Sequence, residues 1–358
     1  MNDETTAERL PQPAATNEAL SFSGSAGEYF RIWIVNLCLT IVTLGIYSPW
    51  AKVRRNKYLY GHSHLAGASF DYHANPVAIL KGRLIAVGML ALYLVSSALV
   101  PVFSLAIALL IALAVPWLLV RSRMFAMRNT SYRNVRFRFS PVYGQAYKVI
   151  VGYLLLTIVT LGIAYPWARF HRSRLIVDNT GYGTLDMHLD EHLGGGDFLA
   201  IYMGAGILAL GVGLVTAIGL GLGGSFFGGA GSPEGVPFIG TFLSVVFPIL
   251  FYLALYFGTE AAIQRLILRS TWIASNQLQC SWGLPGLSLI YLSNLFAIAL
   301  SFGLLIPWAT IRLQRYKLAG LALTLGRDEL EAVVAAQAEE VSALGDEIGE
   351  AFDYDFGL

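Results

Sequence analysis

Leu39-Thr40-Ile41-Val42-Thr43-Leu44-Gly45-Ile46 recurs letter for letter as Leu156-Thr157-Ile158-Val159-Thr160-Leu161-Gly162-Ile163, 117 residues further on, and each copy stands just ahead of a Pro-Trp-Ala and a basic cluster. Identity of that length marks an internal duplication. The repeated segment is apolar, and so is the chain: 56% of its residues are hydrophobic and 13% charged, with a mean hydropathy of +0.60. A soluble domain has roughly 25% charged residues. The sequence therefore reads as a duplicated membrane protein.

A hydrocarbon core of about 30 Å takes roughly 20 helical residues to cross. Apolar stretches of about that length lie at 30–48, 78–98, 100–119, 147–165, 198–222, 238–259 and 287–306. The expected fold is an all-α polytopic membrane protein with about seven membrane-embedded helices in a degenerate repeat. Residues 1–20 are polar and acidic and lack a basic start followed by an apolar run, so no cleavable signal is expected and the first apolar segment serves as the insertion signal. Cys38 and Cys280 are the only cysteines, which gives no disulfide framework.

The Pro-Trp step extends the repeat. Pro49-Trp50 is followed by Arg54, Pro116-Trp117 by Arg121, Pro166-Trp167 by His171 and Pro307-Trp308 by Arg312, always five residues after the proline. Three of the four continue with a cation at plus eight, Lys57, Arg174 and Arg315, on the same helix face. Proline lacks an amide hydrogen, suits the first turn of a helix and disfavours helical geometry in the residue before it, so one helix is expected to stop and another to start there. Tryptophan prefers the headgroup level, and the cation beyond it can reach lipid phosphates. These four motifs are candidate interfacial, lipid-contacting sites. A degenerate further unit lies near Gln264-Arg265, with Glu260 in the place of the proline.

Polar stretches follow the basic helices at 60–72, 128–139 and 178–188. Asn-Thr and Gly turns followed by alternation, clearest in Val135, Phe137 and Phe139, predict short extended segments outside the bilayer. The unit reads as apolar helix, Pro-Trp break, interfacial basic helix, short strand. Domain limits follow: a polar segment at 1–27; a repeated membrane domain at 28–326 with units starting near 28, 77, 144, 198 and 286; and an acidic amphipathic helix and tail at 327–358. In that tail, Leu330, Val333, Val334 and Val341 keep helical spacing among ten of the chain's 23 acidic residues.

Charge placement makes topology ambiguous. Of 24 Lys and Arg residues, 22 fall in five regions, at 49–84, 120–148, 168–197, 261–285 and 309–327, whereas the connections at 96–101 and 223–237 hold none. The positive-inside rule puts all five basic regions, and with them the C-terminus, in the cytoplasm. Segments 30–48, 147–165 and 287–306 then have to enter and leave on one side. Seven full spans, with some cations outside, is the competing arrangement. Because the third copy, Leu305-Ile306-Pro307-Trp308, lacks a literal Thr-Leu-Gly-Ile and segment 257–272 has lost Pro-Trp, a closed ring of identical units is not expected.

Catalytic constellations are missing from the sequence: there is no Gly-x-Ser-x-Gly, no His-Glu-x-x-His and no carboxylate pair inside a membrane segment, so no catalytic residue, metal site or cofactor is assigned. The glycines of 211–235 have no preceding strand and no Lys-Ser/Thr, and read as helix packing and a hairpin tip. His188 and His192 suit zinc only on a helix, and the stretch reads as strand and loop. Asn36, Thr40, Thr157 and Glu260 form a candidate intramembrane polar set.

Phe22-Ser23-Gly24-Ser25-Ala26-Gly27-Glu28-Tyr29-Phe30, the first Thr-Leu-Gly-Ile-Tyr-x-Pro-Trp run and 67–72 together resemble the YjgN family of bacterial inner-membrane proteins, over roughly 22–325. That resemblance implies a multi-pass protein of the bacterial cytoplasmic membrane and a domain of unknown function, with no site residues to carry over. Repeats and broken membrane helices point to a transporter- or channel-like role for a small solute. The alternative is a non-transporting organiser that binds anionic lipid through its Trp and Arg helices, with a protein partner on the acidic tail. Nucleic acid is not an expected partner, and the oligomeric state is left open.

Overall fold

The computed structural model describes residues 18–227 and 235–324, with Val333 and Ala335; side chains are described outside 219–245. A helical hairpin occurs five times, followed four times by a β-hairpin and, in the last unit, by a single strand. Strands β1 (Glu18–Ala19) and β2 (Ser21–Phe22) precede α1 (Ala26–Val42), α2 (Ser48–Gly61), β3 (Ser63–Leu65) and β4 (Ala68–Tyr72). The second unit is α3 (Pro76–Leu99), α4 (Pro101–Arg128), β5 (Thr130–Tyr132) and β6 (Val135–Phe139). In the third, α5 (Tyr143–Tyr147) and α6 (Tyr153–Val159) flank a π-helical turn over Lys148–Gly152 and lead to α7 (Tyr165–Val177), β7 (Thr180–Tyr182) and β8 (Leu185–Leu189). Then come α8 (Gly195–Phe227), α9 (Gly235–Arg269), β9 (Thr271–Ile273) and β10 (Asn276–Cys280), and finally α10 (Leu284–Leu300), α11 (Ile306–Ala319) and β11 (Leu321–Leu323).

The strands overturn the all-α expectation. All eleven join one antiparallel sheet in the order β1-β11-β10-β9-β8-β7-β6-β5-β4-β3-β2. Its two ends are β1 and β2, separated only by Leu20, whose amide donates to the Leu321 carbonyl at 2.9 Å. One N-terminal segment thus lies between β11 and β3 and completes the circuit. A lone two-stranded hairpin is marginal in water, and these have three and five residues per strand. Each is stabilised by pairing with the hairpins of neighbouring units, which no local sequence window displays.

Leu65, Tyr132, Val135, Tyr182 and Leu323 come from strands around the whole circuit and meet in one buried cluster with Val333, packed against Phe70 and Phe137. The Tyr132 hydroxyl donates to the Leu65 carbonyl at 2.6 Å and the Tyr182 hydroxyl to that of Tyr132 at 2.9 Å. Burial, with Tyr132 alongside and Arg133 opposing, pushes the Tyr182 phenol up to about 12. Val333 and Ala335 are helical; Leu330, Val334 and Val341 of the acidic tail lie outside the described residues.

The helices form a second circuit. Each unit's first helix packs on the last helix of the unit before it, α3 on α2, α5 on α4, α8 on α7 and α10 on α9, and α1 on α11 closes the ring. The ring is one of unequal units, which close because they differ in hairpin length and share their bases.

Length divides the hairpins into two kinds. Among the described residues, four helices are long and apolar enough to cross a membrane, Pro76–Leu99, Pro101–Arg128, Gly195–Ile218 and Val246–Arg269, in place of the seven expected. The first arms of the short hairpins, α1, the helix over Tyr143–Val159, and α10, have about 17 residues or roughly 25 Å. All five hairpins begin and end at the sheet, so the short ones enter and leave on one side. Hydropathy takes 30–48, 147–165 and 287–306 for spans because the turns at their tips are themselves apolar.

Those turns share one geometry. Leu44, Leu161 and Phe302 have φ of 49°, 51° and 49°, followed by Gly45, Gly162 and Gly303 at 90°, 94° and 90°. The hydroxyls of Thr43, Thr160 and Ser301 accept from the amides of Tyr47, Ala164 and Leu305 at 3.0, 3.1 and 3.0 Å, capping the returning helix. Left-handed backbone costs a residue with a Cβ roughly 1–2 kcal/mol. Three times this chain places a large apolar side chain there, 94%, 94% and 98% exposed. Transfer of such a side chain from water to hydrocarbon is worth about 2–3 kcal/mol, enough to offset the strain if the tip sits in lipid.

Candidate functional site

The strands fix the register of the units. Pro49, Pro116, Pro166 and Pro307 each stand fourteen residues before Ser63, Thr130, Thr180 and Leu321; in the fourth unit the residue fourteen before Thr271 is Phe257. Four positions on, Val53, Val120, Phe170, Ala261 and Ile311 are all buried. Glu260 is therefore not the counterpart of the proline. It matches Lys52 and Arg169, and pairs with Arg169 of the preceding unit at 3.0 Å. The expected helix break at Pro-Trp holds for Pro49, Pro166 and Pro307, which open helices, whereas α4 runs unbroken through Pro116.

This register also gives depth. From Pro101 to Val120, α4 has no charged residue, about 30 Å of helix that ends at Arg121. Arg54 and Arg312 occupy the same register position as Arg121, and His171 is their counterpart in the third unit. From Arg54 to the tip of its hairpin is only about 10 Å of helix plus the turn, roughly one leaflet. Three of the five bases thus place an arginine in one plane, the third unit having His171 and the fourth Ala262 there, with two hairpins of spanning length and three of half that depth.

Several candidate residues are held within the protein. Arg121 lies over the Trp117 ring at 5.4 Å and Arg312 over Trp308 at 5.1 Å, while Trp50 stacks on Tyr47 at 6.1 Å. Arg174 donates to the Asp190 carbonyl at 3.1 Å, and Arg315 to that of Gly24 at 3.1 Å. Trp167 lies against Gly195, and Arg54 and Lys57 are exposed. Thr40 and Thr157 bond back to the carbonyls of Asn36 and Tyr153, both at 2.6 Å, as helix-embedded threonines do. His188 sits on β8 and stacks on Trp272, so it shares no helix face with His192.

Asn36 is different. It is 6% exposed, and its Oδ1 has no hydrogen-bond partner. It lines an open cavity of about 440 Å³ between α1, α2 and α3, whose polar wall includes Lys52, Arg55 and Arg83 and whose apolar wall includes Tyr29, Trp33 and Leu37. Arg83 donates to the Ser48 hydroxyl across the α2–α3 seam. Arg83 is the last charge on α3 before the apolar run 84–99, so the cavity opens at the plane of cations. Lys52, Arg55 and Arg83 were not singled out by the sequence as site residues; the signal was available in the placement of Arg83 at the foot of a spanning helix.

The same position in the last unit is Asn294, thirteen residues before its proline, as Asn36 is. It is also 6% exposed, yet Nδ2 donates to the Ala309 carbonyl at 3.1 Å and Oδ1 accepts from Arg312 at 3.2 Å. Arg312 also donates to the Ser293 hydroxyl at 2.7 Å. Among the described residues, no group of three His, Cys, Asp or Glu side chains could hold a metal ion.

Sheet, ring and spanning helices define a membrane protein whose helical hairpins rise from a circular strand base. Residues 17–351 match the family described as bacterial protein of unknown function (DUF898), and the chain belongs to that family. It is 31% identical over 151 residues to the inner membrane protein YjgN of Salmonella typhimurium, covering 41% of this chain and 38% of that protein. The inner membrane protein YjgN of Escherichia coli K12 is 32% identical over 120 residues, 33% of this chain and 30% of that protein. The chain thus matches under two fifths of the length of these relatives. No solved structure matches it.

Proposed function

We propose that this protein is a non-transporting scaffold of the bacterial cytoplasmic membrane that binds anionic lipid headgroups at the plane of one leaflet. The observation behind this reading is the shared register of Arg54, Arg121 and Arg312 at the foot of hairpins that rise from one sheet. Three of the five units thereby present an arginine at one depth, and three apolar tips reach about one leaflet beyond. The positive-inside bias favours a cytoplasmic sheet and C-terminus, with the α3–α4 and α8–α9 hairpins crossing the membrane. A transporter reading drew on membrane helices broken at mid-span, and the breaks at 43–45, 160–162 and 301–303 are instead the tips of short hairpins.

Purified protein is exchanged into nanodiscs of phosphatidylcholine with increasing phosphatidylglycerol, and the lipid retained by the protein is quantified. Each cation near a charged surface is worth about 1 kcal/mol, so Arg54→Gln/Arg121→Gln/Arg312→Gln together lower the anionic preference by up to about 100-fold. Equal retention of both lipids by the unaltered protein refutes the reading, and solute flux in proteoliposomes restores the transporter.

A further inference from the structure

Given the lipid-binding function proposed above, we infer that the cavity between α1, α2 and α3 holds the headgroup of one phosphodiester lipid that carries its own hydrogen-bond donor. Lys52, Arg55 and Arg83 take the phosphate, and Asn36 Oδ1 accepts from a hydroxyl or ammonium of the headgroup.

Two independent observations converge on the cavity. Three cations from two helices line it with no acidic side chain among its lining residues. Beside them stands a buried acceptor without a donor, and a buried polar group is ordinarily paired. The last unit shows what pairing looks like at this register: there Arg312 reaches Asn294 Oδ1 at 3.2 Å and the site is closed from within. In the first unit Arg83 is committed to the Ser48 hydroxyl, and Asn36 Oδ1 is left for a ligand. The terminal amide torsion is soft, so a modest turn presents the oxygen to the cavity.

Depth and wall chemistry match an amphiphile. Trp33 and Leu37 continue from the polar end toward the exposed apolar tip at Leu44, the direction acyl chains take from a phosphate at the foot of α3. Arginine and lysine supply charge-assisted hydrogen bonds to phosphate oxygens, and the tryptophan ring covers the glycerol level. The required ligand chemistry is a phosphodiester with a neighbouring donor, from a lipid or from a soluble glycerophosphodiester.

The test compares phosphatidylglycerol with phosphatidylmethanol of the same acyl chains. Both have one phosphodiester charge, and only the first has headgroup hydroxyls. Native mass spectrometry of the full chain counts bound lipid. The expected result is one tightly held lipid per chain, with phosphatidylglycerol favoured about fivefold, the usual worth of a hydrogen bond to an otherwise unpaired acceptor. Asn36→Leu abolishes that ratio while preference for either anionic lipid over phosphatidylcholine persists.

If Asn36→Leu does not fold, Arg83→Gln, at an exposed position, serves in its place and lowers occupancy of both anionic lipids relative to phosphatidylcholine. Competition by soluble glycerophosphoglycerol, lost in Asn36→Leu, supports the site with a free ligand as its source; retention of lipid alone supports the membrane as its source. Equal binding of phosphatidylglycerol and phosphatidylmethanol by the unaltered protein, or a ratio unmoved by Asn36→Leu, overturns this site while leaving the general lipid reading in place. Loss of all anionic preference overturns the function itself.

Discussion

The first and last hairpins are neighbours in the ring and near-copies in backbone, yet they differ in what they do with one buried asparagine. Their tips have the same torsions, their returning helices open with the same Pro-Trp, and Asn36 and Asn294 are equally buried. In the last hairpin both ends of the amide are bonded, whereas in the first the oxygen is unpaired beside a cavity lined by three cations. The repeat therefore conserves geometry between its copies and lets side-chain pairing diverge. An unpaired buried acceptor costs about 1–3 kcal/mol, so its survival beside a basic cavity points to a ligand rather than to packing.

The feature the two hairpins share gives the largest expected effect. An aspartate at the centre of a bilayer costs about 3 kcal/mol, and in water a left-handed backbone favours Asp over Leu. Leu44→Asp and Phe302→Asp each therefore lower stability in a bilayer by up to about 3 kcal/mol if the tips are embedded, and leave it level or raise it if they are wet. Unfolding in nanodiscs measures the sign, and a result that differs between the two tips breaks the equivalence of the hairpins.

Asn294→Leu is next in size. It removes a bond to the Ala309 carbonyl and one of the acceptors of Arg312, which keeps Ser293 and the Trp308 ring. A loss of about 2 kcal/mol is expected, measured by thermal unfolding in detergent. A neutral outcome would mean that the pairing which distinguishes the last hairpin has no energetic weight.

Much of this pattern is legible in the sequence at the level of the unit. The octapeptide, the Pro-Trp ruler and the alternation of Val135, Phe137 and Phe139 mark the hairpin tip, the returning helix and the strand. Three things escape. The sheet joins hairpins that are far apart in sequence, and β11 is completed by an N-terminal segment some 300 residues away, a pairing no local pattern encodes. Ser301-Phe302-Gly303-Leu304 is the third copy of Thr-Leu-Gly-Ile with three residues replaced by ones of like physics and the glycine kept, so comparison by letters misses it. Glu260 is misaligned for a related reason, since the fourth unit has Phe257 in the proline position and only the strand register reveals it. In the candidate site, polar intramembrane character singles out Asn36, whereas Lys52, Arg55 and Arg83 count as three basic residues among 24 until α2 and α3 bring them together.

The smallest expected effect is also the one whose sign separates the two hairpins. Leucine has the branched heavy-atom outline of asparagine, and replacing a buried amide whose oxygen has no partner removes a desolvation cost without removing a bond to that oxygen. In lipid-free detergent, Asn36→Leu should raise stability by up to about 1 kcal/mol, opposite in sign to Asn294→Leu. Added phosphatidylglycerol should then stabilise the unaltered protein more than the variant, because ligand binding to the folded state alone raises stability with the logarithm of one plus the ligand concentration over its Kd. If Asn36→Leu instead destabilises the lipid-free protein as Asn294→Leu does, Asn36 is an ordinary structural residue with an internal partner, and the contrast between the first and last hairpins collapses.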